Sequence, residues 1–581
     1  MTEMRPIDTE TGETEIEPGK RLIRVGDGGG LSLFERLNYR LHRLAWRTPL
    51  HQLRLRGRMP LRLLAVPKDP IAGDKAAGEA LLSGRLTHNG VELALDDLDF
   101  VASRPPDALS DHLQSFVWLR DLGAAATRER AAKTAETIMR RWLAAYGEQL
   151  VEPAWRADLW GRRILFWTAY APYILSSPDP VYRSAVLHAL ARGARHLDRA
   201  ADRAPPGLAR IQSWAGVIAA ALVVQGGPAR LSSGEAGLSR TLDLALHDDG
   251  GLISRAPGEQ LALVETLAQL RAVYIAGRRE LPAWLTEALE GAVAALLSAT
   301  LGDGALSSWH GGTMANRRRI EAAVDGSAVT ARPLRRARGW GYQRLMAKAS
   351  VLVFDAAPPP PARALKGGCA STLAFEFSDG PHRLIVNCGG AGEVSGVLPE
   401  ALAFGLRTTA ACSTLTLGDR NSTAIQEDGS LGRGVVEVEM SRDETAGPAR
   451  VEASHDGYVR RYGLVHERRL TLSSDGAALS GEDRLFAGAK KTRRGEATPV
   501  AVRFHLAPAI EVTTTADGQG ALLRLRGGAV WQFRCRGGAL DVEDSVWIDG
   551  VGRPQATLLL AVTSESPPDG MTISWELKRA G

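Results

Sequence analysis

The residues of this chain best suited to chemistry are arginines, histidines and tyrosines in loop-like surroundings, a set that serves anion capture and proton transfer. Arg255 follows the turn-like run Asp249-Gly250-Gly251-Leu252-Ile253-Ser254. Its guanidinium fork can grip a carboxylate through two parallel hydrogen bonds. His310, in SSWHGGTMAN (307–316), is flanked by glycine and by Trp309, pairing a titratable imidazole with a flat ring that can stack on a sugar face. Tyr342, in GWGYQRL (339–345), and Tyr274, near the end of a helical pattern through Leu263, Leu267 and Leu270, are phenols able to give or take a proton. His455 precedes Asp456-Gly457 and Tyr458.

Each has a plainer reading. Arg255 caps or pairs on its own loop, His310 is a solvated loop histidine, Tyr274 is core, and Tyr342 packs the first strand. Asp-Gly after His455 is hairpin chemistry before it is catalysis. His466, His505 and Glu467 fall inside alternating strands, where such residues are commonly satisfied by the sheet. Cys369 and Cys412, with His382 or His455, offer thiolate and imidazole ligands for zinc, but they lie far apart along the chain, and a buried cysteine packs as a small apolar residue.

These candidates must be positioned by two kinds of element. From about 110 to 300, long Ala/Leu/Arg-rich runs are separated by breakers such as PPDALSDHLQS, SSPDPVYRS and QGGPARLSSGE. Pro or Ser/Asp immediately before an apolar-periodic run marks a helix start, and a succession of such runs predicts an α/α toroid or an open helical array. The rings of Trp118, Trp155, Trp160, Phe166, Trp167, Tyr170, Tyr173 and Trp214 concentrate there and are expected mostly in its core. After about 340 the pattern becomes period-2 alternation, as in STLAFEFS, YGLVHERRLTLS and TISWELK, which predicts at least ten antiparallel strands in a sandwich. The boundary lies near 325–345.

Composition bounds the rest. The chain has 581 residues, 44% hydrophobic and 24% charged, with a net charge of +5, so it can build more than one core and lacks the dense basic excess of a nucleic-acid binder. Four cysteines without a C-x-x-C pair make no disulfide framework. No apolar run reaches membrane-spanning length, VIAAALVV (217–224) being the longest candidate. The acidic, polar first twenty residues do not resemble a secretory signal, which points to the cytoplasm. Ten arginines between 21 and 62 face only Asp27 and Glu35, with Leu33, Phe34, Leu37, Leu41, Leu44 and Ala45 at helical spacing. This basic amphipathic helix suits either docking on the main body or contact with an anionic membrane or polysaccharide. No P-loop, Rossmann fingerprint, H-E-x-x-H helix or G-x-S-x-G elbow is present, and GDGGG (26–30) lacks the necessary context.

The ordered segments DGGLISRAPGEQL (249–261), GWGYQRL (339–345), STLAFEFSDGPHRLIVNCGG (371–390), ACSTLTLGD (411–419), ASHDGYVRRYGLVHERRLTL (453–472) and FHLAP (504–508) resemble the heparinase II/III family over about residues 35–580. The resemblance implies an N-terminal α/α toroid and a C-terminal β-sandwich: a polar, disordered stretch over 1–30, a toroid with its basic helix over 31–330, and the sandwich over 331–581. It further implies polysaccharide-lyase chemistry on an anionic, uronate-containing glycan, at a cleft between the lobes, and a place in the cell envelope that the missing signal leaves unresolved. Elimination from a uronate needs a base for the C5 proton, an acid for O4 and a cation or donor for the carboxylate. His310, Tyr342 and Tyr274 are the candidates for proton transfer, and Arg255, Trp309 and His455 for binding.

The family's pattern is broken at several points. Where lyase-type relatives carry His-x-Asp-Ala-Leu-Ser-Phe, this chain reads Cys369-Ala370-Ser371-Thr372-Leu373-Ala374-Phe375. The Asp-Pro-Gly that often ends a later strand is Asn387-Cys388-Gly389, and an Ala-His-Asn/Ser-Thr motif is Ala411-Cys412-Ser413-Thr414. The usual zinc ligands are thereby missing, no cofactor is expected, and no tyrosine or histidine follows the Asp-Gly-Gly turn before Tyr274. The alternative expectation is a catalytically weakened glycan-binding or envelope-assembly protein of the same fold.

Overall fold

In a computed structural model of the protein, residues 14–17, 20–24, 49–57, 60–102, 105–224, 227–334, 337–365, 367–390, 397–444, 447–488 and 496–580 are described. Helices run in succession from Lys75–Leu82 to Arg317–Ser327, and their starts follow the sequence signals. Asp179 caps the helix Pro180–Ala200 by accepting from the backbone N–H groups of Val181 and Tyr182, with Pro180 at the first position. Pro257 and Pro228 likewise stand at the start of two further helices, there without a side-chain cap.

The helical lobe is the expected toroid, closed around a dense aromatic core. Trp118, Trp142, Trp155, Trp160 and Trp167 are fully buried. Arg163 is set among them, its guanidinium 4.3 Å from the Trp142 ring and 4.4 Å from that of Trp160. Among the described residues it makes no ion pair, and it donates to the carbonyls of Gln114 and Ala154. Helices Ala157–Ala169 and Leu208–Ala219 cross at Gly161 and Gly216, so closely that a Cβ on Gly161 would stand 2.0 Å from the Gln212 carbonyl oxygen.

The strand half is the expected sandwich. Its larger sheet holds ten strands in the order Thr14–Glu17, Lys20–Arg24, Glu437–Asp443, Ala449–His455, Leu464–Leu472, Ala478–Ala487, Gly570–Arg579, Val530–Arg536, Gly520–Arg524, Glu511–Thr514. The smaller runs Ala539–Ile548, Pro554–Ser566, Thr498–Leu506, His382–Val386, Phe375–Asp379, Ser350–Asp355, Tyr342–Ala347, with Leu415–Leu417 also paired to Thr498–Leu506. Strand Leu464–Leu472 alternates strictly between buried and half-buried positions, the pattern that made it legible.

The first thirty residues were expected to be disordered, and part of that stretch is not. Thr14–Glu17 and Lys20–Arg24 form a hairpin on the edge strand Glu437–Asp443, with Ile23 opposite Val438 and buried. The alternation in KRLIR supplies one apolar face, and an open sheet edge supplies the hydrogen bonds. Of the expected basic helix, 31–48 lies outside the described residues; Pro49–Arg54 is helical.

The last toroid helix ends at Ser327 and the first sandwich strand begins at Tyr342. The toroid's apolar core nevertheless continues across this boundary, taking in Trp340, Tyr342, Val351, Val353, Ala374 and Cys412.

Candidate functional site

Three of the residues singled out from the sequence meet at this boundary, but inside it. Arg255, His310 and Tyr342 are each at least nine-tenths buried. The Arg255 Nε donates to the Trp340 carbonyl at 2.9 Å, Nη1 to that of Pro358 at 2.6 Å, and Nη2 pairs with Asp355 at 2.5 Å. Its guanidinium also lies 4.8 Å from the Tyr342 ring. The Tyr342 hydroxyl donates to the Arg255 carbonyl at 2.6 Å, and burial drives its pKa well above the usual phenol range. Trp309 packs on Tyr342 with ring centres 5.4 Å apart and donates its indole N–H to Ser307. The His310 Nδ1 accepts from the Cys369 backbone N–H at 3.2 Å. Burial, then Arg255, holds that imidazole neutral. Arg255 thus clamps the lobes together and Trp309 fills the joint, where the sequence suggested a carboxylate fork and a stacking platform; the guanidinium is turned inward by Asp355 and the loop carbonyls that accept from it, and the indole by the Tyr342 ring and the Ser307 hydroxyl.

The other two candidates stand elsewhere. The Tyr274 hydroxyl donates to Glu235 at 2.8 Å, and burial first, then that carboxylate, raises its pKa. His455 is interior to the sandwich: its Nδ1 accepts from the Gly457 N–H at 3.1 Å, and its Nε2 lies 3.3 Å from the His466 Nδ1. Cys369 and Cys412 are buried, and burial pushes the Cys369 thiol up to about 11 and that of Cys412 well above the ordinary range, so both are neutral thiols. Among the described residues no group of three His, Cys, Asp or Glu side chains is disposed to hold a metal ion.

A half-buried cluster that the sequence did not single out lies where the toroid approaches the sandwich. The hairpin Arg85–His88/Val91–Ala94 turns through Asn89-Gly90, both at positive φ, as a two-residue turn demands. At that turn the Val551 carbonyl of the sandwich lies 3.0 Å from where a Gly90 Cβ would be. His88, at the end of the hairpin, stacks on His112 of helix Asp107–Ser115, ring centres 4.0 Å apart. Burial first, then Arg319 and Arg162, lowers the His88 pKa to about 4. Burial, His88 and the same arginines take His112 well below its usual value. Both imidazoles are therefore neutral.

Most cations here are already matched. Arg319 holds Glu265 bidentately at 2.9 and 3.2 Å, and although burial acts to raise the Glu265 pKa, Arg319 and Arg120 overcome it. Arg156 bridges Asp111 and Asp158 at 2.8 and 2.5 Å, and Arg120 pairs with Asp69 at 2.9 Å. Arg162 differs: half-buried on helix Ala157–Ala169, it has no hydrogen-bond or ion-pair partner within reach among the described residues. Burial lowers its pKa, opposed by the fields of Glu265, Asp158 and Asp111. A half-buried guanidinium with no directly bonded anion among the described residues, within electrostatic reach of two neutral imidazoles that can donate or accept, can receive an acidic group. The available sequence signal was Arg162-Arg163 inside the apolar run LWGRRILFW: one arginine must face inward and its neighbour, 100° round the helix, cannot.

Comparison with known proteins agrees with this architecture. Residues 329–576 match the heparinase II/III-like C-terminal domain model. FtsZ-localized protein C of Caulobacter vibrioides is 30% identical over 562 residues, spanning 91% of this chain and 92% of that protein. Among solved structures, a heparinase III superposes with a TM-score of 0.67 at 14% identity, covering 94% of this chain and 91% of its own. Heparan sulfate lyase HepC of Pedobacter heparinus gives 0.55 at 14%, covering 94% and 87%. At such identities the structures establish a shared toroid-and-sandwich fold and no more. With its strand half matching the family's domain and a relative aligned along nearly its whole length, the chain belongs to the heparinase II/III-like family.

Proposed function

We propose that this protein binds an acidic glycan without cleaving it and works where FtsZ localises. Arg162 is the observation that carries the binding: among the described residues it is the cation of the cluster that makes no direct ion pair or hydrogen bond and feels Glu265, Asp158 and Asp111 only at a distance, so a uronate or similar acidic sugar completes its hydrogen bonding. The loss of cleavage is supported by the fate of the expected catalytic groups. His310, Tyr342 and Tyr274 are buried and internally bonded, and the positions where lyase-type relatives carry His and Asp hold Cys369 and Ser371. The full-length likeness to FtsZ-localized protein C supports the setting.

The test has two arms. Pure protein is mixed with uronate polymers and followed for the absorbance of an unsaturated uronate, and binding to the same polymers is measured by calorimetry. Binding that Arg162→Ala weakens by roughly 10- to 150-fold, with no absorbance change, is the expected result; no binding to any acidic glycan sinks the proposal. The second reading, β-elimination, is favoured by one feature: neutral His88 lies within electrostatic reach of Arg162, so an imidazole and a free guanidinium share one cluster. Absorbance that grows with wild type and stops with His88→Gln would establish it. A fluorescent fusion that fails to coincide with FtsZ would refute the setting.

A further inference from the structure

We infer that the toroid carries a binding site for a small amphiphilic carboxylate, in the groove where helices Pro180–Ala200, Leu208–Ala219 and Pro228–Ala245 meet. The groove has a volume of about 560 Å³, inside the range of roughly 300–1,000 Å³ that small-molecule sites occupy. It is open because its walls are short: Ala191 and Ala194 on the first of these helices, Gly227 and Ala229 at the start of the third. A Cβ added to Gly227 would meet nothing within 4 Å.

Small residues alone make only a gap, and it is the floor that gives this one a preference. Trp214, on Leu208–Ala219, lines the groove while only 6% exposed, and its indole N–H has no hydrogen-bond partner among the described residues. The ring is wedged against the third helix, where a Cβ on Gly237 would stand 2.5 Å from its Cε2. A buried donor without an acceptor costs free energy, which an oxygen atom brought into the groove would recover. Val217 and Val224, both buried, add aliphatic surface beside it. The floor therefore favours an apolar body.

The rim sets the charge. Arg195 and Arg230 stand there with one carboxylate, Asp198, so the cations are in surplus by one. Arg230 is held by Asp198 through bonds of 2.8 and 2.7 Å, and Arg195 Nη1 donates to the Leu55 carbonyl at 2.9 Å, which fixes both guanidinium forks before any ligand arrives. Burial first, then the field of Arg230, lowers the Arg195 pKa against the pull of Asp198; a second anion at the rim would offset that repulsion. A single surplus cation above an apolar floor fits a monoanion whose carboxylate a guanidinium can grip. A uronate polymer has the charge but not the apolar body. The groove shares no residue with the Arg162 cluster, so the two proposals stand independently.

The probe is 4-phenylbutyrate, a carboxylate on an apolar body, titrated calorimetrically into the full chain beside its neutral counterpart, 4-phenylbutyramide. The expected result is saturable binding of the carboxylate, about tenfold tighter than the amide, as a hydrogen bond to a charged group predicts. Ala229→Trp, at an exposed position, fills the mouth and should weaken binding at least tenfold at an unchanged thermal midpoint. Arg230→Gln removes the surplus cation and should bring the carboxylate down to the level of the amide. No saturable binding, equal affinity for carboxylate and amide, or affinity untouched by both substitutions overturns the inference. So does displacement of 4-phenylbutyrate from the wild type by a uronate polymer, since that would place the probe at Arg162.

Discussion

Arg162 and Arg255 have different fates in the fold, and substitution should separate them. Arg162 makes no hydrogen bond among the described residues, so Arg162→Ala is expected to weaken acidic-glycan binding by about 1.5–3 kcal/mol, the usual worth of a hydrogen bond to a charged group, and to leave the thermal midpoint within a degree or two. Arg255→Ala should do the opposite. It strands Asp355, whose side chain has no solvent exposure, and truncating one member of a buried pair costs about 3–5 kcal/mol. Glycan binding by whatever protein remains folded should be unchanged. Calorimetric titration and thermal melts on both variants decide the matter. A large loss of glycan affinity in Arg255→Ala at full folding would return that residue to the binding site.

At the scale of elements, the sandwich carries a buried chain of titratable groups with a defined direction. Because the Gly457 N–H donates to the His455 Nδ1, the His455 proton sits on Nε2 and is donated to the His466 Nδ1; the His466 Nε2–H in turn donates to Asp483 at 2.9 Å. Arg468 holds the same carboxylate at 2.7 Å. Burial would raise the Asp483 pKa, but Arg468 and His466 win and bring it to about 2. Burial depresses both histidines, so above pH 6.5 they are neutral in folded and unfolded chain alike and cost nothing. As pH falls below 6.5 the unfolded chain takes up protons that the folded one refuses, and stability drops by up to about 1.4 kcal/mol per pH unit for each group. Urea denaturation of wild type and His455→Gln between pH 7.5 and 5 should show a shallower acid limb in the variant, by about one proton. Equal slopes would mean that His455 titrates normally. The helix crossing is similarly specific. Gly161→Ala places a methyl 2.0 Å from the Gln212 carbonyl oxygen, against backbone that cannot rotate away, and should destabilise by about 1–3 kcal/mol or more, whereas Gly207→Ala, with nothing within 4 Å, should cost only the strain of its positive φ.

These elements differ in how far the sequence disclosed them. The alternation in LVHERRLTL and the Asp-Pro start at 179–180 are local signals, and each sheet and helix they announced is present. The joint was not legible in the same way. Whether Arg255 points to solvent or inward depends on Asp355, a hundred residues further on, and no local pattern encodes that pairing. The Arg162 cluster was missed for the same reason, since His88, His112 and Arg319 come from separate parts of the chain and converge only once the toroid has closed. The edge hairpin at 14–24 was hidden by its polar composition, although KRLIR carries a short alternating pattern.

For the whole molecule, the boundary between lobes is what decides behaviour. Two sets of charged, buried bonds stand out among the polar contacts that hold it. Arg255 with Asp355 is one; the other is Glu376, whose Oε1 accepts from the Ser308 N–H at 3.0 Å while Arg383 joins Asp303 at 2.7 Å. Between them the apolar core passes unbroken from the toroid into Trp340, Tyr342 and Val353. Separate lobes would each have to expose that apolar surface on parting, which couples their unfolding. Scanning calorimetry should therefore show one transition for the wild type. Arg255→Met removes a clamp but keeps the volume and the apolar continuity, so the single transition should move to lower temperature without dividing. Adding Asp355→Leu removes the stranded carboxylate and should recover much of the loss, because a buried pair replaced by packed apolar groups is commonly neutral. Two resolved transitions in Arg255→Met would show that the polar clamps alone unite the lobes, and that the joint can open to admit a ligand to His310 and Tyr342.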